Sequence, residues 1–568
     1  MNRRLVIAVA AAFLVGLTHA RATWRTEVET VADSGVSIEL TSPFEAAPPT
    51  GTLPVWVTIH NASGAARTWT FGTNIASRYD SGGRHVVTET LRVDNGQTGR
   101  VPVLVPLDVS TTGYYYNSEP FQVEGYGVNE RPSILPQVNR QTKSNPTPAI
   151  GMGEDLATPV WAGLTKWYTD NGQDLLGSPL DLEQLNGDWR MLAGLDTLWL
   201  SDASYERLDA ARRTAVRDWV SHGGLLCLCT GAANPSLRAA LGLGPEGNGA
   251  DVGLGRVQLI PWDGQPLPSE TIAAKENQPR ATRADPATAA ATDWSMTASV
   301  GTIPLNALFL IAVIVVFAVL VGPVNLFVFA RSTHRHRLFW TTPLISVGAS
   351  LLLMVFILLK DGFGGSGERA LLCLLLPDQK KTVVVQEQVA RTGVVLSHGF
   401  DVAEDLLLSP LHLADGPSRS HEQTGRHFSG DWFASRSRQA QRADAVVPSR
   451  AEITLVNADA ARDGAPPVLT SSVPAAIRRI TYLDPAGRQW VGDTLRTGDR
   501  VTLRTGGAEE GAFSTGGSEG LDAEVKHLLE RRGNFVAVAD DGPFLEMLPS
   551  IHWTSQRAVF AGPVTGAR

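Results

Sequence analysis

The chain has 568 residues, with 49 Lys and Arg against 57 Asp and Glu, a formal charge of −8 and a pI near 5.9. That length suits three or four domains, and the acidic balance, with no basic stripe outside one short loop, disfavours nucleic acid as a partner. Three cysteines exclude a disulfide framework.

Met1-Asn-Arg-Arg4, the apolar run Leu5 to Leu17 and the small residues ending at Ala20 and Ala22 read as a secretory signal peptide over 1–22. The apolar run is short for a permanent span, and whether it is cleaved or kept as a signal anchor the chain behind it is expected to be exported. Val36–Leu40, Leu53–Ile59, Thr68–Phe71, Val86–Leu91 and Val101–Val105 are short, β-branched and often alternating, and turns such as Pro48-Pro-Thr-Gly51 and Asp94-Asn-Gly96 separate them. This pattern predicts an N-terminal Ig-like β-sandwich over 23–145. Asn61-Ala-Ser63 matches a glycan acceptor but reads better as a hairpin turn. Tyr114-Tyr-Tyr116, Phe121 and Tyr126 suit either a recognition surface or core packing.

From 146 to 264 helix and strand alternate. Leu208 to Trp219 has helical spacing, opening at Asp209 and closing at Gly223-Gly224. Thr197–Leu200, Leu225–Cys229 and Val257–Ile260 read as buried strands, which together predict an α/β domain with a parallel sheet. Cys227 and Cys229, two apart in a strand, point to one face.

Leu195-Asp-Thr-Leu-Trp-Leu-Ser-Asp202 with Arg212-Arg-Thr-Ala-Val-Arg-Asp-Trp-Val-Ser-His-Gly-Gly224 resembles the class I glutamine amidotransferase-like fold found in exported bacterial membrane proteins. The resemblance implies a cysteine nucleophile at a sharp turn after a strand, followed by glycine, and a distant His-x-Glu pair. Cys229-Thr-Gly231 matches the first part, making Cys229 the candidate nucleophile. The second part is missing, because no histidine occurs between His222 and His334. A thiol without a base is a weak nucleophile at neutral pH. Gly242-Leu-Gly-Pro-Glu-Gly247 fits the dinucleotide fingerprint in letters only, since a helical segment precedes it and glycines follow it. It reads as a loop, and no cofactor is expected.

Residues 265–302, rich in Pro, Ala and Thr, read as a linker. Beyond Asp293 no charge or histidine occurs until Arg331, and a second uncharged run covers Leu338 to Leu359. Each run can cross a bilayer core of about 30 Å, which predicts transmembrane helices over 303–330 and 338–360. The loop 331–337 carries Arg331, Arg335 and Arg337, so the positive-inside bias puts it in the cytoplasm and both flanks outside. Pro323 predicts a kink. Asn325 needs a partner in lipid, either another membrane subunit or, preferably, the second helix near Thr341, Thr342 or Ser346. Gly322-Pro-Val-Asn325 through Arg337-Leu-Phe-Trp-Thr-Thr-Pro343 resembles a hairpin recurring in the same membrane-anchored envelope proteins.

Residues 361–568 predict an exported β-rich domain, with strands at Ala370–Leu376, Lys381–Gln386, Gly393–Leu396, Glu452–Val456, Ile477–Leu483, Gln489–Val491, Arg500–Arg504, Phe535–Ala539 and Ala558–Ala561, and a helix near Leu521 to Arg531. His421, His427 and Asp431 lack the spacing of a metal set, so no metal is expected. Gly516-Gly-Ser-Glu-Gly520 matches a nucleophile elbow in letters, but no apolar strand enters it, and Ser518 suits a helix N-cap. Asp431 to Arg438, basic and aromatic, is either a recognition patch or a solvated loop. The expectation is therefore a multidomain α/β plus β protein of the inner membrane, multi-pass, with both large domains outside, non-catalytic and binding an envelope protein partner besides the bilayer. The alternative is an envelope thiol amidohydrolase using Cys229 with a base from another domain. A transporter subunit finds no support in two spans lacking ionisable residues.

Overall fold

The computed structural model describes residues 24–45, 48, 51–76, 84–107, 121–129, 149–170, 176–231, 237–238, 241, 248–268, 270–271, 295–300, 307–329, 336, 338–411, 413, 419–462, 464–506 and 513–566. The protein is of mixed α and β structure, richer in strands than in helices.

Alternation builds the first sheet. In Val36–Ser42 the residues Val36, Ile38 and Leu40 point inward while Ser37 and Glu39 point out, as a half-buried strand requires. It lies antiparallel between Trp24–Val28 and Gly51–Asn61, and Gln97–Leu107 completes the sheet. Asn61 is fully buried and its Nδ2 donates to the carbonyls of Ala65 and Val93 at 2.9 Å, so this side chain closes a turn; the turn is not the expected hairpin, because Gly51–Asn61 before it and Arg67–Ala76 after it lie in different sheets.

The second sheet departs from the sequence expectation. Arg67–Ala76, Arg84–Val93 and Gln122–Gly125 supply three of its six strands, and Phe400–Asp401, Ser420–Thr424 and His427–Gly430 supply the others. Arg84–Val93 pairs parallel with Ser420–Thr424, from Arg84 opposite Ser420 to Thr88 opposite Thr424. Sequence periodicity treats the strands before and after the apolar helices as separate domains, yet they share this sheet. Cross-strand neighbours His85 and His421 pack with Trp432 at the seam, and all three are buried.

Residues 149–261 form a parallel sheet of five strands with Gly249–Val252 as an antiparallel edge. Across the sheet the parallel strands run Leu176–Leu180, Ala149–Gly153, Thr197–Ser201, Leu225–Thr230, Gly255–Pro261, so the second in the chain lies outside the first. Helix Ala157–Asp170 covers one face through Val160 and Leu164, against Met152, Trp199, Cys227 and Cys229. Helix Ala210–Ser221 covers the other through Val216, Trp219 and Val220, in a core continuous with the first sheets. Burial on both faces explains why these strands read as unbroken apolar runs. Asp209 caps the second helix by accepting from the Arg212 amide at 2.8 Å. Gly224 follows because a Cβ there would lie 2.4 Å from the Trp219 ring.

Two helices are long and apolar enough to cross a membrane, with cores at Ile311–Val328 and Leu338–Phe356. Their side chains face outward, as Phe327, Phe339, Trp340 and Leu344 illustrate. The first is α-helical over Ala307–Val319 and π-helical over Leu320–Phe329, with Pro323 inside the widened part. Proline lacks the amide that the narrower helix needs and crowds the preceding turn. Asn325 Nδ2 donates to Thr342 Oγ1 at 2.9 Å, the interhelical partner expected from sequence.

The segment read as a linker ends in a packed helix, Ser295–Val300, whose buried Met296 joins a core of the following sheet. That sheet has nine strands in the order Leu406–Leu411, Arg438–Pro448, Lys381–Thr392, Gly365–Leu376, Ile551–Pro563, Asn534–Ala539, Ile477–Leu483, Gln489–Leu495, Arg504–Thr505. Gly393–Leu396, expected as a strand, makes only the isolated bridge of Val394 to Phe363. Helix Glu519–Leu529 covers one face through Leu521, Val525 and Leu528. Its N-cap is Ser518, accepting from the Leu521 amide at 3.2 Å.

An ionic cluster joins that helix to the sheet. Arg442 lies 3.2 Å from Asp444, 3.3 Å from Glu524 and 3.6 Å from Glu387, all four buried. Glu387 also accepts the Ser518 amide at 2.7 Å and hydroxyl at 2.8 Å. Burial raises the Glu387 and Glu524 carboxyls above their ordinary range, against the pull of Arg442. A raised acid stabilises the fold fully below its unfolded pKa of about 4.3 and loses that contribution as pH rises through the folded value. Arg442→Met is expected to cost about 3–5 kcal/mol by stranding carboxylates. Glu524→Gln should cost far less and reduce the loss of melting temperature between acid and neutral pH. Thermal melts of both variants across pH measure this.

Candidate functional site

In an open parallel sheet, ligands bind beyond the carboxyl ends of the strands where the strand order reverses. Here that point lies between Ala149–Gly153 and Thr197–Ser201. Three adjacent strands hand polar groups to it within two residues of their ends: Asp155 after Ala149–Gly153, Ser201 and Asp202 at the end of Thr197–Ser201, and Thr230 at the end of Leu225–Thr230. The carboxylate of Asp155 accepts the Ser201 hydroxyl, and it accepts the Ser204 hydroxyl at 2.9 Å. Ser201 also caps the short helix Asp202–Arg207 by accepting from the Ser204 amide at 2.9 Å. Arg207 donates to Ser204 Oγ at 2.8 Å, and Thr230 Oγ1 donates to Asp202 at 3.1 Å. A Cβ at position 153 would come within 2.8 Å of the Asp155 carboxylate and push it off its present hydrogen bonds, so glycine leaves room for this arrangement.

Cys229 lies at this edge but is sealed. Its side chain is fully buried, and burial, with Asp155 and Asp202 nearby, pushes the thiol up to about 12. At neutral pH that leaves a thiolate fraction of about one in 10⁵. The strand continues through Thr230, with Cys229 opposite Ser201 on one side and Ile260 on the other, and its φ is not positive. An ordinary ladder therefore replaces the sharp turn that the resemblance implies. His222, closest in sequence, sits at the opposite end of the strand, stacked on Trp189 at 3.9 Å with Nδ1 2.9 Å from the Asp218 carbonyl. As arranged, this edge can accept hydrogen bonds and present negative charge, and among its described residues there is no activated nucleophile.

The other sequence candidates are apart or employed elsewhere. His421 is buried on Trp432, His427 is exposed with Nδ1 2.9 Å from Asp401, and Asp431 accepts the Ser420 amide at 2.8 Å. No metal-holding group of His, Cys, Asp and Glu occurs among the described residues. The Asp431 to Arg438 segment is not an exposed patch, because Trp432 and Phe433 are core residues. Tyr126 is exposed with the Arg67 guanidinium 4.1 Å from its ring, and Phe121 is buried. Tyr114 to Tyr116 and the loop 242–247 lie outside the described residues.

Sequence reasoning passed over Asp155, Ser201, Asp202 and Ser204. The available signal was an acid directly following each of two apolar strands, Gly153-Glu-Asp155 and Leu200-Ser-Asp202. The chain matches no family model and no curated protein.

Alkylation tests the state of Cys229. With iodoacetamide between pH 6 and 8, the folded protein should leave Cys229 unmodified and the denatured protein should take the label, read by peptide mass spectrometry. Rapid labelling of the folded form would show that the thiol is open and activated.

Proposed function

We propose that the chain is a non-catalytic protein of the bacterial cell envelope, anchored in the inner membrane by the helix pair, whose outer modules act as one body that binds a protein partner. The observation that carries this reading is the pairing of Arg84–Val93 with Ser420–Thr424. Strands on either side of the apolar pair can share hydrogen bonds only if both ends of the pair leave the membrane on one face. A pair that enters and leaves on one face crosses twice, and the arginine-rich loop between the helices then belongs inside. The outward apolar side chains of both helices suit hydrocarbon, and the Asn325–Thr342 bond supplies a partner for a polar group at membrane depth. The sealed thiol supports binding over hydrolysis.

Three single-cysteine substitutions at exposed positions test the topology, aided by the burial of all three native cysteines. An impermeant maleimide should label Gln97→Cys and Lys526→Cys on intact spheroplasts and His336→Cys only after lysis. Labels of Gln97→Cys and Lys526→Cys on opposite sides would overturn the reading. Capture of the tagged protein from mild detergent, repeated with Cys229→Ala, then tests partner binding. The same partner should be retained by both forms.

A further inference from the structure

The α/β unit and the nine-stranded sheet face each other across a cleft of about 840 Å³, within the range of roughly 300–1,000 Å³ typical of small-molecule sites. Val220, Val252 and Val257 line one wall and Leu376, Leu528 and Val564 the other. Two ionic latches close the modules on each other. Lys381 Nζ lies 2.7 and 2.8 Å from the Asp218 carboxylate. Arg531 Nη1 donates to the Gly253 carbonyl, and its Nε lies 3.5 Å from Asp251, whose other oxygen is 3.5 Å from Arg256.

This second latch carries more cation than anion. Asp251 is shared by two guanidiniums, and the buried Nε atoms of Arg256 and Arg531 hold no hydrogen bond. Arg217 and Arg532 line the same cleft outside the latches, and Asp378 is the only further carboxylate among the described lining residues. Burial already works against the charge of Arg531. An incoming anion would offset that cost.

We propose that this cleft binds a small organic anion: one phosphate, sulfonate or carboxylate on an apolar body about the size of an aromatic ring. The aliphatic walls account for the body and the arginines for the charge. A bilayer lipid is a poor fit, because Leu376 ends the strand that starts at Gly365 just past the second apolar helix, a run of about 35 Å at the usual rise. The inference goes beyond partner binding, and only its exclusion of lipid rests on the membrane reading. Because both walls contribute, the ligand stabilises the closed arrangement of the modules.

The test is calorimetric titration of the full-length protein in detergent. Phenyl phosphate and benzoate are the probes, and inorganic phosphate and benzyl alcohol are the half-ligands. At least one probe should bind saturably and at least about tenfold tighter than either half-ligand. Arg217→Glu with Arg532→Glu should weaken that binding by about tenfold or more. Ala250→Trp, which fills the cleft from an edge strand, should abolish it, with the ligand-free melting temperature of each variant retained. Absence of saturable binding by both probes overturns the proposal. So does binding that survives both the charge reversal and Ala250→Trp, and so does equal binding of the half-ligands, which would indicate an adventitious surface.

Discussion

The arrangement depends on one stretch of backbone pairing, five residues of Arg84–Val93 against Ser420–Thr424, made by parts of the chain separated by two apolar helices. Parallel pairing needs a long connection, and here that connection contains the α/β unit, the helix pair and the start of the nine-stranded sheet. The buried rings of His85, His421 and Trp432 pack where the two strands meet. A ladder with bulky buried side chains resists sliding, since a one-residue slip would turn them to the other face. The six-stranded sheet is complete only with this contribution, so strands from before and after the helices belong to one sheet.

Polar contacts at the boundaries follow a common pattern. Where the α/β unit meets its neighbours, an arginine or lysine reaches across to a carboxylate or carbonyl: Arg190 to Leu406 O, Lys381 to Asp218, Arg531 to Gly253 O. Within the nine-stranded sheet the same logic runs inside one layer. Gln386, Gln388 and Gln441 bond in series on one face, from Leu545 to Trp432, while Arg442 gathers three carboxylates on the other. Buried amides and charges of this kind fix geometry because any unpaired member carries the full cost of desolvation.

Local pattern carried much of the secondary structure into the sequence. Alternation in Val36–Ser42, the cap at Asp209, the cap at Ser518 and the unbroken apolar strands around Cys227 all correspond to elements in the structure. Asn325 reached its partner for a reason visible in one dimension, namely a polar group with few alternatives. What could not be read was anything decided by distant contact. Ser420–Thr424 has no strong strand signal of its own, and its polar sequence Ser-His-Glu-Gln-Thr becomes a strand by docking on an existing edge. Trp432 and Phe433, flanked by charge, look exposed in sequence, and tertiary packing buries them. At the candidate site, Cys229 was visible because its chemistry is distinctive. Asp155 and Ser201 were not, since acids and serines are common and only the strand order brings these together.

The shared sheet also sets a schedule for biosynthesis. Arg84–Val93 leaves the ribosome long before Ser420–Thr424, and between the two come a hydrophobic pair of helices and an entire α/β unit. Contacts at such sequence separation form late, because loop closure must precede any gain from pairing. Until then the edge of Arg84–Val93 is an open template for foreign strands. The protein thus carries its aggregation hazard in its first hundred residues, and the danger passes only when its second half arrives.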